Sequence, residues 1–280
     1  MTKFAFCFII LVTDQKTEIG AFIMIKSGLC SVSFRSKTPE EIISLAAKAG
    51  LSSIEWASDA HVNEGDVNTA KEVKKMTEAA GLEVSSYGSY FYLGKKMDIV
   101  PFLESAKALG TNEIRIWAGK SPSAYHLPEQ REWLVNEAKN ISRKAADYGI
   151  TISTECHANT LTDTPESLLH LMDEVGEPNF RTYWQALLHI PESEQLSSLK
   201  AVYASGRLTN LHVYHFNCWE YERDQRLLSE AYDKWLERFM VFKNDDTVRY
   251  AMLEFVRGGL DESLLADAKT LNALISATNK

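Results

Sequence analysis

Four segments of the chain repeat one pattern, in which a helix-like stretch with small residues ends at a glycine and an apolar stretch follows. The segments are AAKAGLSSIEW (46–56), EAAGLEVSSY (78–87), AKALGTNEIRIW (106–117) and ADYGITISTE (146–155). Each glycine stands where helices commonly end in a left-handed residue. The unit returns roughly every 30 to 40 residues, which indicates a series of consecutive helix–strand units.

The rest of the chain continues this alternation. Thr38 and Glu41 form a capping box at the start of one helix, and Thr164 with Pro165 marks the start of another. The first strand is predicted at 27–34 and later strands at 180–185, 207–216 and 248–255, with helices near 192–204, 226–241 and 261–276. The chain then counts eight strands and eight helices in strict alternation.

Strict alternation of strands and helices requires parallel strands joined by right-handed crossovers, and eight such units close a barrel. We therefore predict an α/β fold, a (β/α)8 TIM barrel in a single domain over residues 25–280. An open, doubly wound sheet is the alternative. It is disfavoured because no glycine-rich phosphate loop follows the first strand.

Residues 1–24 are interpreted as an extension that precedes the barrel, or as the product of a start codon assigned too early. Their apolar run, from Phe4 to Val12, is too short to span a bilayer. A secretory signal is the alternative, but Asp14, Lys16 and Glu18 follow without a small-residue cleavage site.

Charge and cysteine usage limit the partners that we expect. The formal net charge is −8, and we find no cluster of lysine and arginine, so neither nucleic acid nor an anionic membrane is an expected partner. The four cysteines are far apart and form no CxxC pair, which is typical of a reduced, cytoplasmic protein. The expected partner is a small-molecule substrate, a sugar or a hydroxy-ketone, and the sequence is compatible with a homo-oligomer.

Polar residues stand at the predicted carboxyl ends of the strands, where TIM barrels carry their active sites. In chain order they are Glu55, Tyr87 and Tyr90, Arg115 and Trp117, Glu155 and His157, Gln185 with His189 beyond it, His212 and His215, and Glu254 with Arg257 after it. Barrel interiors are expected to be packed with aliphatic side chains, so a carboxylate there requires a paired charge or a metal ion.

Glu155, His215 and Glu254 are predicted to meet at one mouth of the barrel from three different strands. Two carboxylates and an imidazole, with oxygen donors around them, suit Mn²⁺, Mg²⁺, Co²⁺ or Zn²⁺. Such an ion can hold a substrate carbonyl and hydroxyl, while a nearby glutamate removes and returns a proton. The residues therefore predict metal-dependent proton transfer through an enediolate.

Structural roles for the same residues remain open. Glu55 could cap a helix or pair with an arginine, and Arg115 could pair with Glu155 or Glu55. His212 and His215 could each be a hydrogen-bonded core histidine.

Five motifs together resemble the xylose-isomerase-like TIM barrels of the sugar-phosphate isomerase/epimerase superfamily. They are I-E-W (54–56), R-I-W-A-G (115–119), E-C-H-A-N-T-L-T-D-T (155–164), Y-H-F-N (214–217) and L-E-F (253–255). The resemblance implies one divalent ion held after strands five to eight by a glutamate, an aspartate, a histidine and a glutamate. Carried over by position, these ligands become Glu155, Gln185, His215 and Glu254.

The resemblance also implies roles in catalysis and substrate binding. Glu155 and Glu254 would be the catalytic pair that exchanges the substrate's proton. Substrate oxygens would be held by His157, His189 and Arg115, and we predict that Trp117, Glu55 and Arg257 also contribute to the substrate site.

The sixth strand departs from the family pattern. Gln185 replaces the expected aspartate, and His189 follows it after four residues instead of three. A glutamine carbonyl compensates less charge than a carboxylate, so we expect a lower metal affinity or a different preferred ion.

Sugar or sugar-phosphate isomerisation or epimerisation is the favoured function at this point. The motifs at 115–119 and 155–164 also resemble 3-dehydroshikimate dehydratases. These enzymes share the barrel and eliminate water from a cyclic, carboxylated hydroxy-ketone. A non-catalytic sugar-binding barrel is a further alternative. An endonuclease of abasic sites is disfavoured because the chain is acidic and lacks a basic DNA-binding face.

Overall fold

A computed structural model describes residues 25–219 and 222–278. The interpretation of residues 1–24 lies outside this range. The described helices are α1 (Pro39–Lys48), α2 (Val67–Ala79), α3 (Val100–Leu109), α4 (Pro128–Asp147), α5 (Pro165–Val175), α6 (Glu192–Ala204), α7 (Tyr232–Phe239) and α8 (Asp261–Thr278). The strands are β1 (Ile25–Cys30), β2 (Ser53–Ala57), β3 (Glu83–Tyr92), β4 (Glu113–Trp117), β5 (Thr151–Glu155), β6 (Phe180–Trp184), β7 (Leu208–Val213), β8 (His215–Trp219), β9 (Glu222–Arg226) and β10 (Arg249–Leu253).

Eight of these strands form one closed parallel barrel in the order β1-β10-β7-β6-β5-β4-β3-β2. Neighbouring barrel strands are parallel, as crossover helices require. The predicted single TIM barrel is therefore confirmed.

The glycines of the repeated pattern have the backbone that the sequence predicts. Gly50, Gly81, Gly110 and Gly149 have φ between +68° and +79°. A side chain at such a φ would be strained, so glycine ends the helix and turns the chain toward the next strand. The predicted capping box is also present, with the Thr38 side chain accepting from the Glu41 amide and Glu41 accepting from the Thr38 amide.

Within residues 25–219 and 222–278, the antiparallel hairpin of β8 and β9 between β7 and α7 interrupts the strict alternation. The predicted seventh strand, 207–216, is therefore two elements. Its last barrel bond joins the Glu254 amide to the Val213 carbonyl (3.1 Å). Beyond it, the Tyr214 carbonyl accepts from Trp235 Nε1 (3.0 Å), which draws the chain out of the barrel ladder. The predicted first strand, 27–34, likewise ends at Cys30, and a short 3-10 helix (Ser31–Phe34) follows.

The interior of the barrel is more polar than the sequence led us to expect. Successive residues of a strand point to opposite faces. In β4, Ile114 and Ile116 are fully buried between the strands and the helices, whereas Arg115 contacts Glu55 and Glu155 across the interior. The apolar core therefore lies mainly outside the barrel, and paired charges occupy part of its inside.

Among the described residues, none of the helices combines the length and the apolar character needed to cross a bilayer.

Candidate active site

One buried network of polar side chains lies at the carboxyl ends of the barrel strands. Its members are Glu55 on β2, Arg115 on β4, Glu155 at the end of β5, Gln185 after β6, His212 on β7 and Glu254 after β10. Each of the six is at least nine-tenths buried, so their mutual contacts act with little screening by water.

Arg115 occupies the middle of this network. Its Nε atom lies 3.1 Å from Glu155 Oε2, and its Nη2 atom lies 3.5 Å from Glu55 Oε1. Burial alone would raise the pKa of Glu55, but Arg115, His212 and the Ser86 hydroxyl lower it to about 2. Glu55 is therefore a carboxylate, and Arg115 counters part of the negative charge.

His212 contacts carboxylates through both nitrogens. Its Nδ1 atom lies 3.3 Å from Glu254 Oε2 and 3.2 Å from Gln185 Oε1, and its Nε2 atom lies 3.6 Å from Glu55 Oε1. The ring packs edge-on against Tyr183 with a centroid distance of 5.3 Å. Burial lowers the pKa of His212, but the contacts with Cys30 and Glu254 outweigh it and raise that pKa well above its usual value.

Gln185 connects the two catalytic candidates. Its Nε2 atom donates to Glu155 Oε1 (3.1 Å) and to the Cys156 carbonyl (2.7 Å), while its Oε1 atom faces His212. Glu155 and Glu254 are thus joined through the Gln185 amide and the His212 ring.

A cavity of about 450 Å³ lies against the network. Glu155, Glu254 and Arg115 line it, together with Trp117 and His157. The rings of Trp117 and His157 are 4.3 Å apart between centroids and form one wall. His157 Nδ1 lies 2.6 Å from the Ala158 carbonyl, which leaves Nε2 to contact a ligand.

A larger cavity of about 900 Å³ opens around Glu83, Glu113 and Arg181 at the amino ends of the strands, at the end of the barrel opposite the buried network.

The structure brings His212 to the network in the position where the sequence suggested His215. His215 lies on β8, outside the barrel ladder, and lines a separate cavity of about 660 Å³ beside Lys234 and Arg238. The physical reason is that side chains alternate between the two faces of a strand. Asn210 and His212 share the face that points into the barrel, and His215, three residues beyond His212, would fall on the opposite face. That alternation was a usable signal in the sequence.

Two further predicted substrate residues lie away from the cavity at the network. His189 lines the same cavity as His215, and its Nε2 atom lies 2.8 Å from the Asp163 carbonyl. Arg257 is exposed in a short 3-10 helix, Arg257–Gly259. Glu55 belongs to the network without lining the cavity, since it lies beneath Arg115 and His212.

Arg35 is a cavity residue that the sequence did not single out. It follows the 3-10 helix after β1, pairs with Asp59 (2.5 Å), and donates to the Tyr90 hydroxyl (2.5 Å). Both Arg35 and Arg115 lie over the Tyr90 ring, at 5.5 and 5.8 Å from its centroid. Arg35 belongs to a loop without periodicity, so strand-end patterns gave no signal for it.

The network has the charge for a divalent cation, and its part around Gln185, His212 and Glu254 has the spacing. Its formal charges are three carboxylates against one guanidinium, and an added divalent ion that displaces the proton of His212 would balance them. Glu155 Oε2 and Glu254 Oε2 are buried without a hydrogen-bond partner among the described residues. The oxygens nearest His212 Nδ1 are 3.2 and 3.3 Å away, close to the roughly 3.0–3.4 Å between neighbouring ligands of an ion with bonds of about 2.1 Å. An ion held by both Glu155 and His212 would replace the present Gln185 amide bridge.

Comparison with known proteins gives a family match and individual relatives. The family described as the xylose isomerase-like TIM barrel matches residues 43–233. The chain is similar to a 3-dehydroshikimate dehydratase of Bacillus anthracis, at 30% identity over 179 residues. That alignment covers 60% of this chain and 64% of the relative, which is less than two thirds of the relative's length.

Two solved structures are similar to this one. The probable 3-DHS dehydratase AsbF of Bacillus anthracis, involved in petrobactin synthesis, aligns with a TM-score of 0.73 and 24% identity, over 88% of this chain and 98% of that one. The IOLI protein with a bound zinc atom aligns with a TM-score of 0.70 and 14% identity, over 90% of this chain and 98% of that one. At these identities the two structures establish a shared fold.

Proposed function

The chain belongs to the xylose isomerase-like TIM barrel family, and from this premise we propose that it is a divalent-metal-dependent enzyme acting on a small hydroxy-ketone. The reaction would begin with removal of a proton from the carbon beside the carbonyl. One observation carries the proposal: Glu155 and Glu254 belong to one buried network and line one cavity.

Four residues would hold the ion: Glu155, Gln185, His212 through Nδ1, and Glu254. When bound, the ion would supply positive charge against the developing charge on the substrate's carbonyl oxygen. The opposite nitrogen of His212 faces the Glu55 carboxylate. At 3.6 Å the Glu55 carboxylate makes no hydrogen bond to the ring, but its negative charge favours a proton on this nitrogen, which gives Glu55 a positioning role.

We assign the two glutamates different tasks. Glu155 is held between Arg115 and the Gln185 amide, so its carboxylate is fixed in place. Glu254 contacts His212 within the network and lines the cavity, and it is the better candidate for taking the proton.

The cavity favours a substrate that carries a carboxylate. Arg115 Nη1 has no hydrogen-bond partner among the described residues, and Arg35 lines the same cavity with about half of its side chain exposed. A guanidinium binds a carboxylate with charge-assisted hydrogen bonds. His157 Nε2 would accept a hydrogen bond from a substrate hydroxyl.

Dehydration of 3-dehydroshikimate, or of a similar carboxylated hydroxy-ketone, is therefore the reaction that we favour. The 30% identity to the dehydratase supports dehydration more strongly than the sequence motifs support isomerisation. In this reaction the electron pair left by the removed proton expels hydroxide from the adjacent carbon, and the hydroxide leaves as water after taking up a proton.

Isomerisation or epimerisation of a sugar or sugar phosphate is the second candidate. Two glutamates at one cavity favour it, because a second carboxylate can return the proton to the substrate. It shares the first step with dehydration and differs in the fate of the hydroxyl group.

The test incubates metal-free and Mn²⁺-loaded protein in D₂O with 3-dehydroshikimate and with a panel of ketoses and ketose phosphates, followed by NMR. We expect Mn²⁺-dependent loss of water from 3-dehydroshikimate. Deuterium entering a ketose without loss of water would establish the second candidate instead. Absence of both reactions in the loaded protein would overturn the proposal of an enzyme and favour a barrel that only binds its ligand.

A further inference from the structure

The face of His212 that points away from Glu254 meets a second set of potential metal ligands. The Cys30 thiol, one oxygen of Glu55 and one nitrogen of His212 all lie within 4.8 Å of one another. Cys30 and Glu55 are register partners on the adjacent strands β1 and β2, so their side chains lie side by side. β7 brings His212 to them inside the barrel.

These three side chains are buried, and one of their polar atoms is unsatisfied. Cys30, Glu55 and His212 are at most 2% exposed. His212 Nε2 finds no hydrogen-bond partner in residues 25–219 and 222–278, since Glu55 Oε1 is 3.6 Å away and outside hydrogen-bond range. This buried ring nitrogen is therefore free to bind a ligand.

The spacing also suits a tetrahedral ion. Zinc binds cysteine sulfur at about 2.3 Å and nitrogen or oxygen at about 2.0–2.2 Å, which separates neighbouring ligand atoms by roughly 3.3–3.7 Å. The 3.6 Å between His212 Nε2 and Glu55 Oε1 falls within this range.

We propose that Cys30, Glu55 and His212 Nε2 form a second metal position, selective for thiophilic ions such as Zn²⁺ and Co²⁺. A sulfur, nitrogen and oxygen donor set favours these ions over Mg²⁺ and Mn²⁺, which prefer oxygen. Binding releases the thiol proton to solvent, and the thiolate and the Glu55 carboxylate then match the two charges of the ion.

The two metal positions exclude each other because they share one imidazole. A neutral ring has a single lone pair, so an ion on Nε2 leaves Nδ1 protonated. His212 then cannot hold the catalytic ion through Nδ1. Zn²⁺ at the Cys30 position is therefore inhibitory, a consequence that rests on the proposed function, whereas the metal position itself does not.

Cobalt spectroscopy tests the position directly. Metal-free protein is titrated with Co²⁺ while the near-ultraviolet thiolate-to-cobalt charge-transfer band is recorded. The wild type is compared with Cys30→Ser, Cys30→Ala and Cys156→Ser, the last being a matched control because Cys156 is also a buried free cysteine. Circular dichroism establishes that each variant is folded.

We expect the band in the wild type and in Cys156→Ser, its loss in both Cys30 variants, and its removal from the wild type by equimolar Zn²⁺. A wild type without the band, or a folded Cys30 variant that keeps it, overturns the proposal. Mn²⁺ binding, followed by electron paramagnetic resonance, should persist in the Cys30 variants. The cobalt band requires no turnover, so failure of the proposed function leaves this test intact.

Discussion

His212 Nδ1 lies 3.3 Å from Glu254 Oε2, and this contact joins the seventh and last strands of the barrel. It follows from strand register, because Met252 is the partner of His212 and Glu254 lies two residues further along the same face. The contact places an imidazole and a carboxylate side by side in a site with little water.

The first prediction separates the two histidines. His212→Gln should lower Mn²⁺ affinity by more than about 100-fold, because even partners behind a ligand typically cost 10- to 100-fold. His215→Gln, the matched control on β8, should bind Mn²⁺ like the wild type. Calorimetric titration with Mn²⁺ measures both affinities, and the opposite result would return the ligand role to His215.

The second prediction concerns proton transfer. Glu254→Gln should lower kcat by about 10²- to 10⁴-fold, because the amide cannot take the proton. Thermal unfolding should show a folded protein, and Glu262→Gln on the exposed start of α8 should retain full activity. Near-normal turnover by a folded Glu254→Gln would remove this residue from catalysis.

The third prediction concerns stability. Arg115→Met leaves Glu55 and Glu155 without their buried counter-charge, and it should lower the free energy of unfolding by about 3–5 kcal/mol. Arg35→Met removes an exposed ion pair and should cost less than about 1 kcal/mol. Urea unfolding of the metal-free variants measures both changes. Equal effects would mean that the buried network contributes little to the fold.

The fourth prediction concerns pH. Partial burial and the negative charge of Glu55 raise the pKa of Glu113 to about 7, although the Ser153 and Thr209 hydroxyls and Asn210 oppose the rise. The folded state then binds more protons than the unfolded state, so stability is fully present below the ordinary glutamate pKa and falls as pH rises toward 7. Glu113→Gln should flatten this fall.

Unfolding by urea at several values between pH 4.5 and pH 7.5 measures that slope. Asp267, whose burial raises its pKa to about 6, contributes a smaller fall in the same direction and remains in the variant. An unchanged slope in Glu113→Gln would show that Glu113 is ionised throughout this range.

Local rules of helix and strand predicted most of the fold and part of the site. Left-handed glycines and a capping box marked where units begin and end, because these positions depend on a few neighbouring residues. Glu155 and Glu254 were predicted as a pair because each stands at the end of an apolar strand, and both line the cavity at the network. These local signals do not depend on how the barrel closes.

Of the remaining site residues, His212 could have been found from the two-residue period of its strand, whereas Arg35 depends on three-dimensional context. The β8–β9 hairpin replaces the end of the predicted seventh strand, and so the histidine of the network changed from His215 to His212. Arg35 reaches the cavity through contacts with Asp59 and Tyr90 from distant parts of the chain. Long-range contacts of this kind leave no periodic trace in the sequence.

Anomalous diffraction from crystals of the metal-free protein soaked in Mn²⁺ tests the central claim most directly. We predict one strong peak within bonding distance of Glu155, Gln185 Oε1, His212 Nδ1 and Glu254. A peak in the cavity beside His215 and His189, or protein that turns over substrate with no ion at the network, would contradict the account.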